Sequence, residues 1–283
     1  MKKKLFCFGL GYSARNLVQH LKQQDTGWQF SGSCRQQTDR DAAHIFDGNS
    51  PMVNSAEILS DITHMLISIP PQNIDPVLHH HGREISKLKN LKWLGYLSTT
   101  GIYGDRGGDW VDDNSPPAPT SARGRQRLKA ETGWLELFHD HGLPVHIFRL
   151  GSIYGPGKGQ LANLLAGGVK KIIQPGQYFS RIHVADIMQV LTASIQSPNP
   201  GRSYNVVDDL PTANAKVLDH ICDLLGRPHL PPVNINDTEI SPLMRSFYGE
   251  NKRVRNDRIK QELGVTLKYP TYKEGFSALI RNL

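Results

Sequence analysis

Six residues near the N-terminus, Gly9-Leu10-Gly11-Tyr12-Ser13-Ala14, constrain this chain more than any other feature. They follow the apolar run Leu5-Phe6-Cys7-Phe8 and precede a stretch in which Ala14, Leu17, Val18 and Leu21 recur at helical spacing. A strand, a tight turn and a helix are predicted in that order. In a G-x-G-x-x-G/A turn the first glycine permits the sharp bend and the second lets main chain approach a pyrophosphate. The final small residue keeps helix and strand close. The helix N-terminus adds amide donors and a partial positive charge, so Gly9 to Ala14 are expected to cradle the phosphates of a dinucleotide.

Further strands are predicted at Trp28–Ser33, His44–Asp47, Met65–Ile69, Trp93–Ser98 and Val145–Leu150, with a helix from about Gly124 to His139 after a Pro-rich loop. Strands that alternate with connecting segments build a parallel sheet covered on both faces. The expected class is therefore α/β, a Rossmann-type doubly wound parallel sheet with a small C-terminal substrate lobe. Residues 1–150 are assigned to the nucleotide-binding domain. Residues 151–283, where Gly/Pro-rich turns break the rhythm, are assigned to the last sheet elements interleaved with a small substrate-binding lobe.

The second strand ends in Ser33-Cys34-Arg35. An Asp or Glu there would accept from a ribose 2′-hydroxyl, whereas an Arg with small hydroxyl neighbours suits a 2′-phosphate. Ser33 and Arg35 thus point to NADP, with NAD as the other possibility, and Ser68 at the end of the fourth strand joins the expected coenzyme contacts.

Composition narrows the rest. The chain has 283 residues, 38% hydrophobic and 21% charged, and no window approaches the ~20 apolar residues that cross a bilayer. Cys7, Cys34 and Cys222 are odd in number and far apart, which fits neither a disulfide framework nor a zinc site. A cytoplasmic protein without metal or membrane partner is the expectation. The net charge of +7 is sharpest at Arg123, Arg125, Arg127 and Lys129. No aromatic residues interleave there, which favours a solvated face and a small anionic ligand over nucleic acid. His79-His80-His81 is read as a solvated segment, because adjacent histidines on a helix diverge, and His139 and His141 as helix-end residues.

Three further segments carry a resemblance: Tyr96-Leu97-Ser98-Thr99-Thr100-Gly101-Ile102-Tyr103-Gly104, Arg149-Leu150-Gly151-Ser152-Ile153-Tyr154-Gly155-Pro156-Gly157, and Arg181-Ile182-His183-Val184-Ala185-Asp186-Ile187. Together with the glycine turn, their order and separation resemble the extended and atypical short-chain dehydrogenase/reductases of the NAD-dependent epimerase/dehydratase type. The resemblance implies an oxidoreductase acting on a small carbonyl or nucleotide-sugar-like substrate, and a possible homodimer. It implies that Thr99, or its neighbours Ser98 or Thr100, holds the substrate oxygen, with Ser98 also beside the coenzyme. The family's Tyr-x-x-x-Lys pair is absent, since Arg123 aligns with the Tyr and Arg127 with the Lys. Arg127 can still hold ribose or phosphate, but a permanently charged Arg123 cannot exchange protons as a phenol does. Tyr103 and His183 are the replacement acid/base candidates beside Thr99 and Arg127. Tyr154, Arg181 and His183 are the expected substrate contacts, and Asp186 is read as a helix cap or anchor. The alternative is a non-catalytic dinucleotide-binding sensor.

Overall fold

The computed structural model describes residues 2–25, 27–36, 44–237 and 240–283. In chain order its sheet region comprises β1 (Lys3–Phe8), α1 (Tyr12–Gln24), β2 (Trp28–Cys34), β3 (His44–Ile45), α2 (Ser55–Leu59) and β4 (His64–Ile67). These are followed by α3 (Pro76–Ile85), β5 (Trp93–Thr99), α4 (Ala122–His141), β6 (Val145–Leu150) and β7 (Ser203–Val206). The strands form one seven-stranded sheet in the order β7-β6-β5-β4-β1-β2-β3. Pairing is parallel between β1 and β2, β1 and β4, β2 and β3, and β4 and β5. This is the Rossmann-type doubly wound sheet that the alternation of elements predicts. Strand order reverses beside β1, which opens a crevice at the carboxyl ends of β1, β2 and β4.

The strands are apolar because the sheet is covered on both faces. Leu5 to Phe8 of β1 and Met65 to Ile67 of β4 are fully buried. The helix α1 turns Ala14, Leu17 and Leu21 inward, at the predicted spacing. At α3, Pro76 occupies the first turn and the Asp75 carboxylate caps the amides of Val77 at 3.0 Å and Leu78 at 2.9 Å. β7 is the strand that the sequence reading did not anticipate. Four residues bounded by turns carry too little periodicity to be distinguished from a buried loop.

The chain divides into two compact units of nearly equal length. One holds Met1–Thr99, Arg125–Arg149 and Met188–Tyr204; the other holds Thr100–Gly124, Leu150–Ile187 and Asn205–Leu283. The expected boundary at residue 150 is therefore replaced by an interleaved division: the loop after β5 leaves the sheet unit, and residues 188–204 return to it. The second unit has a core of its own, built from Tyr154, Leu161, Leu164, Val217, Ile221, Cys222, Tyr272 and Phe276. Among the described residues no helix is long and apolar enough to cross a membrane, and no group of His, Cys, Asp and Glu could hold a metal ion.

Several histidines belong to the packing. His81 is buried, in contrast to the solvated reading; its Nε2 accepts from the Met52 amide at 3.1 Å and its Nδ1 faces Glu84 at 3.1 Å. His146 is fully buried on β6, where Nε2 accepts from the Asn199 amide at 2.9 Å and Nδ1 faces the Leu94 carbonyl at 3.4 Å. Burial pushes its pKa down to about 4. The unfolded chain, titrating near 6.5, then binds more protons than the native state between those values, so His146 lowers stability as pH falls from 6.5 towards 4. Asp208, raised to about 8 by burial, acts in the opposite sense as pH falls. Comparison with a variant isolates the histidine: His146→Gln, which can still accept from Asn199, is expected to flatten the acid limb by roughly 2–3 kcal/mol over that window. Denaturant unfolding from pH 7 to 4 measures this, and parallel limbs for the two proteins would refute it.

Candidate functional site

The crevice of the sheet unit is a cavity of about 610 Å³, lined by Gly9, Leu10 and Gly11 after β1, Cys34 and Arg35 after β2, and Ser68, Ile69 and Pro70 after β4. Gly9 adopts φ +88°, and a Cβ there would lie 2.8 Å from the Ile69 side chain and 3.1 Å from the Ser68 hydroxyl. Only glycine fits, so main chain itself forms the wall of the cavity. Gly11 begins α1 with no side-chain cap, and a Cβ on it would meet nothing within 4 Å, which leaves open space over the helix terminus.

Ser33 has a different position from the one expected. It is fully buried, its hydroxyl accepts from the Gly9 amide at 3.2 Å, and its carbonyl accepts from the Leu10 amide at 2.8 Å. It shapes the turn from behind and does not line the cavity. Because Gly9 and Leu10 have spent their amides on Ser33, the part of the predicted cradle directed at phosphates begins at Gly11. Arg15 stiffens the same turn by donating from Nε to the Leu10 carbonyl at 2.7 Å. Ser13 and Ala14 are buried and Tyr12 is half-buried, so these three support the turn more than they line the crevice.

Arg35 is exposed at the rim, and among the described residues neither a hydrogen bond nor an ion pair holds it. Ser68 lines the cavity and its hydroxyl donates to the Gly9 carbonyl at 2.5 Å, with the Phe8 carbonyl at 3.2 Å. Sequence reasoning missed Phe46, Asp47, Gly48 and His79, which complete the wall. The signal for Asp47 was available, an apolar residue followed by Asp and Gly at the end of the third strand. His79 could not be found, since its place depends on how α3 packs.

At the end of β5, Thr99 is partly exposed and Ser98 is buried. The Ser98 hydroxyl donates to Glu131, whose carboxylate meets Arg149 Nη2 at 3.0 Å and Nε at 3.2 Å. This commitment removes Ser98 from the groups that can reach a coenzyme. Arg127, one turn before Glu131 on α4, donates from Nη1 to the Leu97 carbonyl at 2.7 Å and the Tyr96 hydroxyl at 3.2 Å. The fold thus places a fixed cation beside the strand end that carries Thr99.

The remaining candidates lie in the second unit, and packing explains most of them. Tyr103 is fully buried and its hydroxyl donates to Asn205 at 2.7 Å. His183 is 4% exposed and its Nδ1 accepts from the Ala185 amide at 3.1 Å; Tyr154 and Tyr269 flank the ring at 5.1 and 4.2 Å. Burial pushes its pKa down to about 4, so it is neutral and enclosed, a poor proton shuttle. Tyr154 is 3% exposed and stacks on Phe276 at 4.6 Å, its phenol pushed up by burial. Arg181 is 3% exposed and donates to the Thr212 carbonyl and the Asn214 side chain, each at 3.0 Å. These placements set Tyr154, Arg181 and His183 within the packing of the second unit. Asp186 accepts from the amides of Lys268 at 2.6 Å and Tyr269 at 3.2 Å, so it anchors the C-terminal segment rather than capping its own helix. Arg123 donates to the Ser246 hydroxyl at 2.9 Å and covers the Phe247 ring at 4.5 Å.

The family model for the NAD dependent epimerase/dehydratase family matches residues 83–223. A conserved protein of unknown function from Silicibacter pomeroyi is 45% identical, with TM-score 0.90 over 99% of each chain. Protein YeeZ of Escherichia coli K12 is 26% identical over 95% of this chain and 97% of its own. The human epimerase family protein SDR39U1 (isoform 2), solved with NADPH, has TM-score 0.76 at 16% identity over 99% of this chain and 100% of its own, a likeness of fold.

Proposed function

The chain belongs to the NAD-dependent epimerase/dehydratase family, within the extended short-chain dehydrogenase/reductases, and from that premise we propose that it is an NADP(H)-dependent oxidoreductase acting on a small carbonyl or nucleotide-sugar-like substrate. The observation that carries the coenzyme reading is the glycine-walled cavity with Arg35 at its rim. The residues suit the ligand: main chain at Gly9 to Gly11 allows close approach, the terminus of α1 attracts phosphate, and Arg35 offers a planar donor set to a 2′-phosphate. Proteins of like fold were solved with NADPH or with NAD, which supports a nicotinamide dinucleotide, and the preference for NADP(H) rests on Arg35.

When bound, the nicotinamide supplies or accepts a hydride. The chain's own residues then have three tasks in this reading. Thr99 holds the substrate oxygen, Arg127 holds the ribose or a phosphate, and the permanent charge of Arg127 stabilises negative charge that develops nearby. Arg127 keeps its proton, so it acts by electrostatics and not as an acid.

A second reading, a non-catalytic dinucleotide sensor, draws on one observation: Arg123 stands in place of the family's Tyr and is committed to Ser246 and Phe247. Turnover separates the two readings. The oxidoreductase reading expects NADPH oxidation with a carbonyl or nucleotide-sugar panel, lost in Thr99→Val while coenzyme affinity stays within about twofold. Tight coenzyme binding without turnover across that panel would favour the sensor.

The preference for NADP(H) is tested by calorimetry. Arg35→Ala is expected to weaken NADPH binding by roughly tenfold or more, the loss of hydrogen bonds to a charged group, and to leave NADH affinity unchanged. Equal affinity of the unaltered protein for both coenzymes would refute the preference.

The proposal extends to a homodimer through α3 and α4. A groove of about 730 Å³ there has Leu78, Gly82, Gly133 and Leu137 in its lining, with Arg83 on α3, Lys87 in the turn after it, and Glu136 and Asp140 on α4. A two-fold axis would set Arg83 and Lys87 of one copy against Glu136 and Asp140 of the other. Sedimentation velocity is expected to give twice the chain mass of 31.6 kDa, and a single-chain mass at tens of micromolar would exclude the pairing.

A further inference from the structure

Arg127 is held by an arrangement that its own position in the sequence does not announce. Its Nη1 donates to two acceptors on β5, the Leu97 carbonyl at 2.7 Å and the Tyr96 hydroxyl at 3.2 Å. Its guanidinium carbon also lies 5.6 Å from the centre of the Tyr96 ring. One acceptor fixes where a guanidinium sits but leaves its plane free to rotate. A second acceptor on the same nitrogen, together with a ring beside the cation, fixes the plane as well.

Tyr96 is suited to that task. It is fully buried, and its ring packs against Trp134 with centroids 6.2 Å apart, so the phenol has no room to shift. Burial pushes its pKa far up, which keeps the hydroxyl neutral and available as an acceptor. Three charged groups act on it, Arg127, Asp75 and Glu131. Glu131 is engaged by Ser98 and Arg149, while Asp75 caps α3 through Oδ1.

We propose that Tyr96 is a positioning residue for Arg127, setting the plane in which the guanidinium meets the bound dinucleotide. This rests on the reading of Arg127 as a coenzyme contact. It adds a residue on the strand to the helix residue that the family pattern would supply.

The test is a double-mutant cycle on coenzyme affinity, with NADPH titrated calorimetrically against the intact chain, Tyr96→Phe, Arg127→Ala and the double variant. Tyr96→Phe keeps the ring and removes one hydroxyl, and is expected to weaken NADPH binding by roughly five- to tenfold, the loss of a hydrogen bond to a charged group. Arg127→Ala is expected to weaken it at least as much, and Tyr96→Phe should add nothing in the Arg127→Ala background. A merely structural Tyr96 would cost the same in both backgrounds, and that result overturns the proposal. An unchanged affinity in Tyr96→Phe beside a weakened Arg127→Ala overturns it too and leaves the coenzyme reading standing. An unchanged affinity in Arg127→Ala overturns both. Should Tyr96→Phe fold poorly, Arg127→Gln, which cannot span both acceptors as a cation, is expected to match Arg127→Ala; an affinity equal to that of the unaltered chain overturns the proposal.

Discussion

The sheet unit depends on one buried ion pair. Glu131 and Arg149 are 1% and 7% exposed, and moving either charge out of water costs several kcal/mol, which a single Coulombic contact does not offset. The geometry answers that cost with several bonds at once: Arg149 presents both Nη2 and Nε to the carboxylate, and Ser98 donates to it from β5. The pair therefore ties three elements together, α4, β5 and β6. It is satisfied only when all three are in register, so its main effect is to specify one arrangement.

That register decides the chemistry. Arg127 lies four residues before Glu131, hence on the same face of α4. With Glu131 fixed by Arg149 and Ser98, Arg127 is delivered to the carboxyl end of β5, where Leu97 and Tyr96 receive it. A hydroxyl that sequence patterns suggest for ligand binding, Ser98, is consumed in making this happen. Ser33 is consumed in the same way, behind the glycine turn. In both places a small polar side chain supports the backbone so that a neighbour can face the ligand.

The sequence was most legible where a constraint is local. The glycine turn, the apolar strands and the inward stripe of α1 follow from sterics and periodicity within a dozen residues, and the structure has them where periodicity puts them. Placement of side chains by tertiary packing was not legible. Tyr103, Tyr154 and His183 carry reactive groups, and nothing in the sequence says that each is sealed in a core. His81 was misread for the same reason: three consecutive histidines spread around a helix, and only the fold decides which one turns inward. His79 belongs to the cavity only through the way α3 packs, which brings it beside segments from separate parts of the chain. Interleaving beyond residue 150 was expected, but that the loop after β5 joins the second core was out of reach, because such a loop keeps the same polar, Pro-rich composition in either place.

Two arginines replace a tyrosine and a lysine in this chain, and the replacements differ in kind. Lys to Arg at position 127 keeps a cation and exchanges a compact, mobile ammonium for a planar donor that needs a second contact to fix its orientation. Tyr to Arg at position 123 removes a group that can give and take a proton and substitutes one that never releases it. The structure is consistent with that difference: Arg127 is held against β5, whereas Arg123 is turned to Ser246 and Phe247. A site built on the first residue alone can bind and orient a dinucleotide and can stabilise negative charge. On the oxidoreductase reading proposed above, hydride would move at a carbon whose oxygen meets that fixed positive charge.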